Sequence, residues 1–222
     1  MDIPGSELCD AANVIVADVR RLQTGRARPL LVAIDGASGS GKSVLAALVA
    51  ARLGAALVPA DHFFAAQLTD ADWEARTPAE RAADALGWQR LRAEALGPLL
   101  AGRPARWRPF DFSAGARPDG TYGFSTRAEV REPKPVVLVE GAYACRPELV
   151  DLIDWIVLVD APVEVRHRRL ARREDPRFLT AWHARWDAAE QWYFSQVMPK
   201  SAFDRVVTNV GGQEVLGRSV NG

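Results

Sequence analysis

The sequence predicts an α/β fold in which helices cover both faces of a central parallel sheet. Three observations carry that expectation: short apolar runs recur with the signature of buried strands, helical patterns separate them, and a glycine-rich turn joins the first run to the helix after it. With 222 residues, 48% of them hydrophobic, the chain can build a sizeable core as one domain spanning 1–222.

Taken in order, residues 6–22 place Leu8, Ala12, Ile15, Val19 and Leu22 at helical spacing, and Gly25 ends the pattern. Residues 30–34 (Leu-Leu-Val-Ala-Ile), bounded by Pro29 and Gly36, are too few for a helix and read as a strand buried on both faces. A helix over 42–53 stops at Gly54, and a second strand covers 55–59. The same apolar signature returns at 135–139 and 155–159, with helices expected over 146–152 and 163–173 and a weaker last strand at 205–208. These make five parallel strands. The stretch 70–132 is irregular apart from a helix over 88–100, and a long insertion of that kind is usually functional.

Composition narrows the function. Lys+Arg and Asp+Glu both total 28, and the pI is near 6.8, which gives no footprint for nucleic acid. Cys9 and Cys145 form neither a disulfide framework nor a zinc pattern, and His62, His167 and His183 show no ligand spacing with cysteines or acids. The N-terminal residues are acidic without an apolar signal core, and no run approaches the roughly 18 apolar residues of a membrane span. A soluble cytoplasmic protein with no membrane partner is expected, with a homo-oligomer left open.

Gly36-Ala37-Ser38-Gly39-Ser40-Gly41-Lys42-Ser43 fits G-x-x-x-x-G-K-[ST] between an expected strand and an expected helix. Glycines let successive N–H groups turn toward one anion, and the helix start adds its positive end. Lys42 can reach β- and γ-phosphate oxygens, and the Ser43 hydroxyl can join a Mg²⁺ shell. This is the pattern of a doubly wound P-loop NTPase fold holding a nucleoside triphosphate, and it says nothing about the acceptor.

In such a sheet, ligands bind beyond the carboxyl ends of the strands, where Asp61, Glu140 and Asp160 stand. Glu140 can approach the metal, directly or through a water, and Asp61 can orient an acceptor hydroxyl and take its proton, or either can be a helix cap or surface group. Asp160 reads as a helix cap. Arg166, Arg169 and Arg173 lie three and four residues apart, hence on one face of a helix within a lid region over 163–185. That face can close over phosphates, or it can be a solvated basic face paired with Glu164, Glu174 and Asp175. Phe63, Phe64, Trp107, Phe110, Phe112 and Tyr122 can wall a pocket for a flat or apolar-faced acceptor, or can be ordinary core. Trp182, Trp186 and Trp192 read as packing of the last helix.

Over about 31–209 the chain resembles the uridine kinase branch of P-loop small-molecule kinases, which also takes in phosphoribulokinase and one type of pantothenate kinase. The resemblance rests on the phosphate loop, on Asp61-His62-Phe63-Phe64, on Phe110-Asp111-Phe112, on Val139-Glu140-Gly141, and on Asp160 with the three arginines. Met198-Pro199 and Phe203-Asp204-Arg205-Val206-Val207 match the closing segment. It implies Asp61 as catalytic base, Lys42 on the phosphates, Ser43 and Glu140 near Mg²⁺, and Arg166, Arg169 and Arg173 as lid arginines. The expected acceptor-binding set is Asp61, Phe64, Asp84, Phe110, Asp111 and Tyr122. Where the family carries a ribose-holding acid, this chain has Gly87, with Asp84 three residues earlier. The family's pyrimidine-reading His is missing from the segment after Phe112, Ser113-Ala114-Gly115-Ala116-Arg117. The expected activity is transfer of the γ-phosphoryl group of ATP to a hydroxyl of a small metabolite, of nucleoside type. The alternatives are a pantothenate-like or sugar acceptor, or a non-catalytic ATP switch.

Overall fold

Apolar strands of β-branched and leucine residues are forced to the middle of the sheet, because both of their faces must be covered. The computed structural model describes residues 6–173 and 176–210, apart from the side chains of 173, 176–182 and 184. In chain order the first elements are α1 (Ser6–Gln23), β1 (Leu30–Asp35), α2 (Lys42–Leu53) and β2 (Ala56–Pro59). The insertion holds α3 (Asp70–Ala75), α4 (Pro78–Asp84), α5 (Trp88–Arg90), α6 (Gly97–Leu100), β3 (Ala105–Trp107) and β4 (Glu129–Arg131). Then come β5 (Val136–Glu140), β6 (Trp155–Asp160), α7 (Val163–Arg173), α8 (Pro176–Trp192) and β7 (Arg205–Thr208).

Five strands run parallel in the order β2-β5-β1-β6-β7. The register pairs Ile34 with Glu140 and Pro59 with Glu140, so β1, β5 and β2 end level with one another. Alternate residues face opposite cores. Leu30, Val32 and Ile34 meet Ile15, Val19, Leu45 and Val49 of α1 and α2, whereas Leu31 and Ala33 share the other core with Leu91, Leu96 and Leu99. All of these side chains are fully buried, each contributing about 1.5–3 kcal/mol where the residue is Val, Leu or Ile, so the strand ends are rigidly held.

Three local expectations change. Leu22 is exposed rather than part of the α1 apolar face. Residues 146–152 form only a 3₁₀ turn at Pro147–Leu149, after which the Leu152 and Ile153 amides close a turn onto the Leu149 carbonyl before β6 begins at Trp155. The insertion is more regular than its composition suggests. Thr69 with Asp72 and Thr77 with Glu80 are complete capping boxes starting α3 and α4. The expected helix over 88–100 is continuous but passes through a π-helical stretch at Leu91–Leu96. Among the described residues no helix is long and apolar enough to cross a membrane.

Candidate active site

The phosphate loop leaves β1 and enters α2 through glycines that no other residue could replace without movement. Gly39 has φ 78°, and a Cβ there would lie 2.7 Å from the Arg166 carbonyl oxygen. Gly41 has φ 96°, and a Cβ would lie 2.4 Å from Asn209 Nδ2. The loop is thus wedged against α7 and the residue after β7. Lys42 begins α2 and is only 7% exposed.

Beside it the Ser43 hydroxyl donates to Glu140 Oε2 at 3.0 Å. Burial pushes the Glu140 carboxyl up to about 7, with the Asp61 charge adding to the shift and Lys42 opposing it. Asp61 follows β2 in a 3₁₀ turn (Ala60–Phe63) and is exposed. Its Oδ1 would stand 3.3 Å from a Cβ on Gly141, which places Asp61 against the residue next to Glu140. The strand-end reading therefore brings Lys42, Ser43, Glu140 and Asp61 to one edge of the sheet. Asp160 is different: its carboxylate takes Lys200 Nζ at 2.9 Å instead of capping α7.

The arginines of α7 face the loop, but onto its carbonyls. Arg166 Nη1 donates to Ser38 O at 3.0 Å and pairs with Glu190 Oε2 at 3.3 Å. Arg169 Nη1 donates to Gly39 O and Ser40 O at 3.2 and 3.1 Å, and its Nη2 reaches Asn209 Oδ1 at 2.9 Å. In this structure both brace the loop from outside. The side chains of Arg173 and Trp182 lie outside the described residues.

Sequence reasoning missed Glu190, Asp35 and Tyr143. Glu190, 3% exposed on α8, accepts from the Ser38 amide at 2.9 Å and the Ser38 hydroxyl at 2.6 Å. Burial pushes its carboxyl up against the opposing pull of Ser38, Lys42 and Arg166. Nothing in its spacing marks it. Asp35 could have been found, because it ends β1 as Glu140 ends β5. Fully buried, it accepts from the amides of Gly36, Tyr143 and Cys145 and from the Tyr193 hydroxyl, at 2.7–3.0 Å. It holds Tyr143 at φ 66°, the one positive φ outside glycine among the described residues. Strain of that kind costs about 1–3 kcal/mol and survives only where neighbours enforce it.

Burial lifts the Asp35 carboxyl from 3.8 to about 6 despite its four donors. A folded-state carboxyl raised above its unfolded value binds its proton more tightly in the native state, so its ionisation removes stability as pH rises from about 4 to about 6. Wild type should therefore exceed Asp35→Asn in stability by less at pH 7.5 than at pH 5, by about 1 kcal/mol. Urea unfolding of both proteins at the two pH values measures it, and a gap that widens with pH would contradict the assignment.

The acceptor side sorts into wall and core. Phe63 and Trp107 are core, with Trp107 Nε1 donating to His62 Nδ1 at 3.1 Å. Phe64 packs on Phe110 at 5.2 Å and on Trp186 at 5.4 Å, and Phe110 packs on Phe112 at 4.5 Å and Tyr122 at 5.6 Å. Trp186 therefore joins this aromatic group as well as packing α8. Burial raises the Tyr122 phenol, and Asp70 adds to it. Two of the three acids of the expected acceptor set have other work. Asp84 receives Arg76 Nε at 2.8 Å, and Asp111 caps its own turn through Ser113 and Ala114.

No family model matches the chain. A uridine kinase from Deinococcus deserti is 31% identical over 183 residues, which cover 79% of this chain and 81% of that protein. A possible uridine kinase from Bacillus stearothermophilus superposes with a TM-score of 0.64 at 20% identity, over 90% of this chain and 98% of the other. D-glycerate 3-kinase from Cryptococcus neoformans gives 0.61 at 16% identity, over 92% and 96%. The two structures share the fold, and the Deinococcus relative carries the kinship further. The chain belongs to the uridine kinase-like P-loop kinases.

Proposed function

We propose that the protein transfers the γ-phosphoryl group of ATP to a hydroxyl of a nucleoside-class acceptor, with Mg²⁺. The observation that carries this is the meeting of the phosphate loop, the Ser43–Glu140 pair and Asp61 at the level ends of β1, β5 and β2. A buried carboxyl lifted to about 7, one hydrogen bond from a hydroxyl, is a donor pair short of positive charge, and it fits a hard divalent cation. Ser43 and Glu140 would hold Mg²⁺, which when bound neutralises phosphate charge. Lys42 and the loop amides other than those of Gly36, Ser38 and Ser40, which Asp35, Glu190 and Ala37 engage, would hold the phosphates.

In this reading the chain's own work is positioning. Lys42 attracts the transferring group, Asp61 orients the acceptor hydroxyl and takes its proton, and Arg166 and Arg169 keep the loop curved by holding its carbonyls. The aromatic faces of Phe64, Phe110, Phe112 and Tyr122 favour an acceptor with a flat ring. The Deinococcus relative named uridine kinase supports the same class. Asp84 and Asp111 are engaged elsewhere, so selectivity among nucleosides rests on ring stacking and shape. Coupled ADP release against nucleosides, pantothenate and sugars tests this. Nucleosides should exceed the others in kcat/KM by at least about tenfold. Preference for pantothenate or a sugar, or no acceptor-dependent release, would overturn it.

A further inference from the structure

We propose that His167, His183 and Asp187 form a transition-metal site tying α7 to α8, with Zn²⁺ as the ion their donors suit. Sequence spacing did not suggest it, because His167 lies on a different helix from the other two. His183 and Asp187 are four residues apart on α8 and so share a face, and the fold sets that face against His167 of α7. One ligand atom from each residue lies within 4.8 Å of the other two.

The distances fit a four-coordinate ion after small side-chain rotations. Tetrahedral Zn²⁺ with ligands at about 2.0–2.1 Å puts donor atoms roughly 3.3 Å apart. Here His167 Nε2 is 2.6 Å from Asp187 Oδ2 and His183 Nδ1 is 4.0 Å from the same oxygen, values on either side of that spacing. The imidazole rings are 4.2 Å apart and tilted by 32°, so both can turn a nitrogen to the space beside Oδ2. Two imidazoles and one carboxylate select zinc-like ions over Mg²⁺ or Ca²⁺, which prefer all-oxygen shells.

Asp187 divides its oxygens. Oδ2 faces the histidines, while Oδ1 lies 3.4 Å from Arg166 Nη1 and 3.5 Å from Nη2. An outer hydrogen bond of that kind fixes the orientation of a ligating carboxylate. The guanidinium charge also weakens attraction for a cation, so tight structural affinity is not expected. Through Arg166 the site connects to Ser38 and Glu190, which places a bound ion one residue away from the bracing of the phosphate loop.

Metal-free full-length protein, with Mg²⁺ in excess to satisfy the Ser43–Glu140 pair, should take up one equivalent of Co²⁺ with the visible absorption of a four-coordinate ion. Zn²⁺ should displace it. His167→Ala and His183→Ala should each weaken uptake by at least about tenfold, with unchanged circular dichroism. Zn²⁺ should raise the thermal midpoint of wild type and leave that of the double variant where it was. No saturable absorption, or equal affinity in a folded double variant, would overturn the proposal. Should a variant fail to fold, X-ray absorption of wild type loaded with one Zn²⁺ decides: two imidazole ligands are expected, and one or none rejects the site.

Discussion

Lys42→Ala should reduce phosphoryl transfer by about 10²–10³-fold and also lower stability. The first effect follows from the loop: the amides can cradle phosphate, but a single nearby cation offsets the charge that spreads during transfer. The second follows from burial. A lysine at this position would contribute little if it faced solvent, yet Lys42 is 7% exposed and counters Asp35, Glu140 and Glu190 together. Alanine leaves three buried carboxyls without that cation, and each is already lifted by desolvation. The stability loss should be about 1–3 kcal/mol near pH 8 and smaller near pH 5, where Asp35 and Glu140 hold their protons. Steady-state kinetics with urea unfolding at both pH values measures the pair of effects. Unchanged turnover with unchanged ATP affinity would remove Lys42 from the phosphates.

The sheet was legible because its strands must be apolar on both faces, so residues 30–34, 135–139 and 155–159 announce themselves. The phosphate loop was legible because only glycine tolerates the close approaches at Gly39 and Gly41. The capping boxes at Thr69 and Thr77 were written in the sequence as well, and an irregular composition hid them. What could not be read were contacts between distant segments. Glu190 meets Ser38 across 152 positions, and Asp35 reaches Tyr143 across 108, with no local pattern that pairs the two ends. The arginine face was readable as a face, but its target was not: helical spacing says that Arg166 and Arg169 point the same way, and only the fold shows that they meet loop carbonyls. The histidines fail for the same reason, since His167 and His183 converge only when α7 and α8 pack together.

Asp61→Asn should separate binding from chemistry. Asp61 stands two residues past the end of β2, exposed, beside Gly141 and within electrostatic reach of Glu140. Asparagine preserves its size and much of its hydrogen-bonding shape but cannot accept the acceptor's proton. If Asp61 orients and deprotonates the hydroxyl, turnover should fall about 10²-fold or more on the best acceptor from the panel. MgATP binding should hold or tighten slightly, because the change removes a negative charge that repels Glu140, the expected metal partner. A purely structural Asp61 in its 3₁₀ turn predicts otherwise, since Asn serves such turns nearly as well and both rate and stability would stay near wild type. Calorimetric titration with MgATP and steady-state rates on the same preparation distinguish the two. A rate within about threefold of wild type would leave Asp61 as scaffold and move the search for the base to another residue of the β2–β5 edge.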